Sequence, residues 1–229
     1  MDYIKSIEKT YRSSGGGDYH HQIHAISEKA YDFIAENRKQ KFQPYIQTNQ
    51  SVLEFGVGQG WNLSKIVASK KSGYDLSDVG SVLSKYEIDF YNNLEEIEGL
   101  SFDVVLCSHV LEHVASPAEI LDNIKKLLRQ NGILILAVPY EKQRRFRKFK
   151  RNEPNHHIYS WNVQTLGALV EKCGYTVEQS GLKPFGYERF VANIAAKWGL
   201  SFVFYKFGLF FLRLIRPEQE VFIVARNSN

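Results

Sequence analysis

The 229-residue chain has little cysteine: only Cys107 and Cys173. Both lie in apolar stretches, with neither the spacing of a zinc site nor a disulfide framework, which fits a reducing compartment. The opening Met1-Asp2-Tyr3-Ile4-Lys5 lacks an apolar secretory stretch, so a cytoplasmic location is expected. No internal repeat is visible. The longest apolar stretch, Trp198 to Ile215, contains Lys206 and Arg213 and is short against the roughly 20 residues that cross a bilayer. The charge excess is also small, a formal +4, so where the charges sit matters more than their sum. What is present is ordinary for a folded domain: 44% hydrophobic and 24% charged residues. That excludes general disorder, and the length suits one domain with a sizeable core rather than two.

Strand and helix patterns alternate along the chain. Apolar residues at helical spacing predict a helix from Tyr19 to about Phe42, before Pro44. Strands are predicted at Ser51–Phe55, Ser72–Asp75, Glu87–Tyr91, Phe102–Cys107, Gly132–Val138, Tyr175–Ser180 and Glu220–Ala225. Helices are predicted at Asn62–Ser69, Ser77–Ser84, Pro117–Arg129 and Trp161–Cys173. Near-continuous apolar strands alternating with helices imply an α/β fold with a mostly parallel sheet covered on both faces. In such sheets ligands bind at the carboxyl ends of the strands.

The first strand runs into Glu54-Phe55-Gly56-Val57-Gly58-Gln59-Gly60. Glycines there permit a tight turn and close approach of backbone to ligand. Asp75 closes the second strand, where a carboxylate can accept both hydroxyls of a ribose. A dinucleotide-binding loop reads G-x-G-x-x-G. Here Trp61 stands where its third glycine belongs, and that conflicts with a dinucleotide oxidoreductase.

These segments resemble the motifs of class I S-adenosylmethionine-dependent methyltransferases. Glu54 to Gly60 resembles their first motif, and Gly73-Tyr74-Asp75-Leu76-Ser77 their second. Phe102 to Val114, with Ser108-His109-Val110-Leu111-Glu112-His113, resembles the fourth-strand motif of the broad methyltransferase domain families acting on small molecules. Gly132 to Pro139 resembles the fifth-strand motif, and His157-Ile158-Tyr159-Ser160-Trp161 a short His-x-x-Ser segment of the same families. The resemblance implies a Rossmann-like seven-stranded sheet and S-adenosylmethionine as cofactor. It implies cofactor contacts from Glu54, Gly56, Gly58, Gly60, Asp75, Leu76 and Ser108, with Asn92 as a weaker candidate near the adenine. It leaves the acceptor open.

Methyl transfer from a sulfonium depends on positioning, and a hydroxyl acceptor also needs a general base. His109, His113 and His157 are the base candidates, since imidazole titrates near neutral pH. A zinc site drawn from these and His156 lacks any recognised spacing, so no metal is expected. His20, His21 and His24 precede or begin the first helix, which is a candidate lid.

Between the fifth strand and the next helix, seven of the ten residues from Lys142 to Arg151 are basic. Arg144, Arg145 and Arg147, with His156 and Tyr159, are candidates for binding an anionic acceptor: a sugar, a sugar phosphate or a lipid-linked intermediate, methylated at oxygen. RNA or DNA is the alternative acceptor, although no Asn-Pro-Pro-Tyr or Asp-Pro-Pro-Tyr motif follows the fourth strand. A non-catalytic, membrane-associated protein that keeps the fold is a further alternative.

The tail from Trp198 to Ile215 is amphipathic on a helical wheel, with Phe204, Phe207 and Phe211 on one arc and Lys206 and Arg213 opposite. So many aromatic residues should be covered, by the domain, by a second copy in a homodimer, or by a membrane surface touched through residues 198–216. The expected layout is one domain: an N-terminal lid and helix over 1–43, a cofactor-binding core over 44–183, an apolar insertion over 184–218 and a last strand over 219–229.

Overall fold

The computed structural model describes residues 26–141, 148 and 157–228. The first part of the helix expected from Tyr19, with His20, His21 and His24, and the candidates Arg144, Arg145, Arg147 and His156 lie outside the described residues. Two compact units emerge, one made of Met1–Glu98 with Phe185–Pro217, the other of Gly99–Pro184 with Glu218–Asn229.

In the first unit, helix α1 (Glu28–Phe42) begins at Ser27, whose hydroxyl accepts from the Ala30 N–H at 3.3 Å. Lys39 and Lys41 sit in its last turn, where the helix dipole favours cations, and Pro44 follows. Strands β1 (Ser51–Phe55), β2 (Lys70–Tyr74) and β3 (Asp89–Tyr91) pair in parallel, in the order β3-β2-β1. Helix α2 (Gly80–Leu83) is a single turn between β2 and β3.

The helix expected over Asn62–Ser69 is absent. Residues 61–65 form turns and residues 66–68 carry no regular structure. Gly60 carbonyl oxygen accepts from Leu63 and Ser64, and then β2 begins at Lys70. The stretch is too short to repay helix nucleation, and Asn62 spends its side chain on Glu54.

The second unit holds β4 (Phe102–Ser108), α3 (Pro117–Leu127), β5 (Leu128–Pro139), α4 (Val163–Lys172), β6 (Tyr175–Phe185, whose last residue belongs to the first unit) and β7 (Glu218–Asn227). Helix α4 starts with a capping box between Asn162 and Thr165. β4 and β5 are parallel, β7 runs antiparallel to β5, and β6 lies beyond β7. The seven strands are those of a mixed, mostly parallel Rossmann-like sheet, as expected.

The insertion between β6 and β7 is helical. Two helices fill it, α5 (Glu188–Lys197) and α6 (Phe202–Ile215), broken at Gly199, whose φ is 65°. The chain turns there because glycine adopts that left-handed conformation without penalty. Val191, Ala192, Ala195, Tyr205 and Leu209 bury against Ala30, Phe33 and Ile34 of α1. A Cβ on Gly208 would stand 2.8 Å from Val191, so this glycine lets α6 approach α5 closely.

Candidate active site

In the first unit the glycine loop is anchored from both sides. The N–H groups of Gly56 and Val57 both donate to the Tyr74 carbonyl, at 2.8 and 3.0 Å. The Gly58 N–H donates to Asp75 Oδ2 and the Ser77 N–H to Asp75 Oδ1, each at 2.9 Å. Asp75 therefore shapes the loop. A carboxylate has about four lone-pair sites, so two remain for hydroxyls. Gly58 has φ 48° and Gly60 φ 73°. A Cβ on Gly60 would also meet Leu83 at 2.6 Å. Tyr31 of α1 donates its hydroxyl to the Gln59 carbonyl at 3.0 Å, tying helix to loop.

Glu54 ends fully buried. Asn62 donates to its Oε1, while Oε2 is buried without a hydrogen-bond partner. Burial pushes its pKa from 4.5 up to about 8, against the Asn62 hydrogen bond and the positive charges of Arg38 and Lys41. An orphaned buried carboxyl oxygen is unusual and marks a place for a donor. The ammonium of an amino-acid moiety supplies that donor, so these residues fit S-adenosylmethionine. Ser77 Oγ is likewise buried without a hydrogen-bond partner. Leu76 is half-buried beside Asp75, whereas Asn92 is exposed just past β3.

In the second unit, Ser108 is buried at the end of β4. The chain then turns through His109, whose φ is 59°. His109 lies between two buried carboxylates, with Nδ1 3.5 Å from Glu112 and Nε2 3.2 Å from Glu220. Burial works against its charge, but the contacts to Glu112 and Glu220 outweigh it and raise its pKa. Glu112 is the reciprocal case. Burial would raise its pKa, and His109 with the charge of His113 lowers it instead. This is a fixed ion triad, a setting different from that of a free base.

The backbone of Glu112 clasps the His157 segment: its carbonyl accepts from Ile158 at 2.7 Å and Tyr159 at 3.3 Å. That brings the His113 and His157 rings to 4.8 Å, edge to face. His157 Nδ1 lies 2.9 Å from Glu141 Oε1. A carboxylate accepts, so Nδ1 donates and Nε2 carries the lone pair. Donor atoms of Glu112, His113 and His157 lie within 4.8 Å of one another, a set that can also ligate a metal ion. Tyr159 donates to the Ala115 carbonyl at 3.0 Å and stacks on Trp161. With Ser116, Pro117 and Ser160 these residues line a shallow cavity.

Sequence reasoning missed Asn62, Glu141 and Glu220. An acid directly after the fifth strand was a visible signal for Glu141. Nothing local marks Glu220: it reaches His109 because antiparallel β7 starts where β5 ends, Pro139 pairing with Glu220.

Comparison with known proteins identifies the family. The methyltransferase domain family matches residues 19–180. A probable S-adenosylmethionine-dependent methyltransferase of Mycolicibacterium smegmatis is 30% identical over 141 residues, covering 57% of this chain and 54% of that protein. The tRNA U34 carboxymethyltransferase of Campylobacter jejuni is 25% identical over 198 residues, 80% of this chain and 66% of that one. The chain thus spans about half to two thirds of these relatives. The crystal structure of Burkholderia thailandensis 1,6-didemethyltoxoflavin-N1-methyltransferase, with S-adenosylhomocysteine bound, shares the fold. Its TM-score is 0.66 at 16% identity, covering 99% of this chain and 91% of that one. The chain belongs to the methyltransferase domain family, the class I methyltransferases whose cofactor is S-adenosylmethionine.

Proposed function

We propose that this chain transfers a methyl group from S-adenosylmethionine to an oxygen of a small anionic acceptor: a sugar, a sugar phosphate or a lipid-linked intermediate. The observation that carries the reading is the glycine loop held by Asp75, together with the orphaned carboxyl oxygen of Glu54. When bound, the cofactor supplies an electrophilic methyl on its sulfonium. Asp75 accepts from ribose hydroxyls, and Glu54 accepts from the ammonium. His157, its Nδ1 held by Glu141, is the base that takes the acceptor proton at Nε2. His113 packs its ring on His157 and limits its rotation. His109 lies between Glu112 and Glu220, which favour its charged form, and it holds the chain after β4 in place. The basic run from Lys142 to Arg151 supports an anionic acceptor.

The test is turnover with S-adenosylmethionine on a panel of sugars, sugar phosphates and polyprenyl-linked sugars. His157→Ala should lower kcat by roughly 10²–10⁴-fold, the usual contribution of a general base, with cofactor Kd unchanged. Replacing Arg144, Arg145 and Arg147 by Gln should raise the acceptor KM and leave cofactor Kd alone. An unchanged kcat in His157→Ala would remove it as the base. Loss of turnover on chelation would instead make Glu112, His113 and His157 metal ligands. The Campylobacter relative, a tRNA-modifying enzyme by name, keeps one second reading open: an RNA acceptor. Salt-dependent binding of tRNA followed by its methylation would favour it.

A further inference from the structure

The α5–α6 hairpin turns its charged side inward and its aromatic side outward. Glu188 is buried, and the Arg38 guanidinium lies 2.6 Å from it. The Asn37 amide donates to its other oxygen at 2.6 Å, and Arg213 of α6 lies 3.7 Å away. Lys206 of α6 donates to Asn37 and Gln40 of α1, at 2.8 and 3.2 Å. These contacts fix the rotation of α6 about its own axis. Turning its phenylalanines inward would take Arg213 away from Glu188 and Lys206 away from Asn37 and Gln40.

The outward face is correspondingly apolar. Trp198 is 73% exposed, Leu214 68%, Phe210 63% and Phe204 60%, with Phe207 and Phe211 beside them. Contiguous exposed patches of this kind on soluble domains mark interaction sites. No described helix is long and apolar enough to cross a membrane. At 14 residues, α6 is about 21 Å long, which suits lying in a surface and not spanning one.

Charge selects the partner. From Arg189 to Pro217 there is no acidic residue, and Arg189, Lys197 and Arg216 of the hairpin are exposed. Two copies meeting through this face would oppose like charges. An anionic lipid surface complements them. Trp198, at the bend between the helices, has the amphipathic ring that favours the lipid headgroup level. We infer that the α5–α6 hairpin docks the protein on an anionic lipid bilayer, the aromatic face immersed and the basic rim at the headgroups. The inference rests on the hairpin alone and is independent of the methyl-transfer reading.

The experiment is co-sedimentation of the full chain with phosphatidylcholine vesicles, with and without phosphatidylglycerol, at low and raised salt. Expected is binding to the phosphatidylglycerol vesicles that weakens with salt. Phe204→Ser, Phe207→Ser and Phe211→Ser together should lower the partition coefficient by about a hundredfold or more, with the chain still folded and Tm only modestly lowered, because these rings are about half exposed. Lys197→Glu, which leaves the aromatic face intact, should weaken binding to anionic vesicles only. Absence of binding to phosphatidylglycerol vesicles would overturn the inference. So would binding of the triple variant equal to that of the wild type, or a concentration-dependent dimer that the triple variant converts to monomer.

Discussion

Replacing Glu54 by Gln separates stability from cofactor binding, and the structure says in which direction each moves. Glu54 is fully buried, and burial holds its pKa near 8 against an ordinary 4.5. In the unfolded chain it ionises near 4.5, so between 4.5 and about 8 the folded state holds the extra proton. Stability therefore falls as pH rises through that window and levels off above it. At 1.36 kcal/mol per pH unit the full loss is about 5 kcal/mol, with roughly 3 already gone at pH 7. Gln keeps an oxygen for Asn62 and has no proton to lose. Glu54→Gln should match the wild type at pH 5 and exceed it by several kcal/mol at pH 9 in urea unfolding. Cofactor binding should move the other way. A cationic ligand ionises Glu54, so binding at pH 7 should release a proton, visible as a buffer-dependent heat. Glu54→Gln should abolish that heat and weaken Kd by about 10–100-fold, the worth of a hydrogen bond to a charged group. Parallel pH–stability curves for the two proteins, or equal Kd and proton release, would refute the reasoning.

Asp75→Asn should be worse than its size suggests: both carboxylate oxygens accept from backbone N–H groups, so the new amide must face one donor with another. A loss of about 1–3 kcal/mol in unfolding free energy, together with weaker cofactor binding, is expected, and a variant of wild-type stability would show that the loop does not depend on Asp75. His109→Gln leaves Glu112 and Glu220 buried without their cation and should cost about 3–5 kcal/mol by denaturant titration. Because the His109 pKa is raised, its contribution is full below about 6.5, its ordinary value, and fades as pH rises through the folded value. The variant's deficit should therefore shrink at high pH, and a deficit that is constant with pH would show that the triad is not ionic.

The order of strands and most helices were legible because each signal is local. An apolar run of five to seven residues bounded by Gly, Asp or Pro reads as a buried strand wherever it lies, and β1, β4 and β5 show this. The glycine loop and Asp75 were legible for the same reason: backbone permissiveness and a strand-end acid are properties of the segment itself. The helix over Asn62–Ser69 failed because periodicity cannot weigh the length available before the next strand against the cost of nucleation. Glu220 was invisible because its role depends on which strand β7 joins and in which direction.

The hairpin exposes a deeper limit. A helical wheel divides α6 correctly into an aromatic arc and a side bearing Lys206 and Arg213, and the structure keeps that division. The usual inference that the apolar arc faces the domain is what fails, since Phe204, Phe207 and Phe211 are exposed. The reason is Glu188 on α5. Buried among Arg38, Asn37 and Arg213, it makes a polar seam under the hairpin, and Lys206 adds to the same seam through Asn37. Tyr205 and Leu209 provide the apolar contacts on that inner side, Tyr205 stacking on Phe33. Periodicity records that a helix has two faces; the partners that other helices offer, Asn37, Gln40 and Glu188 for Lys206 and Arg213 and Phe33 for Tyr205, accompany the face that turns in.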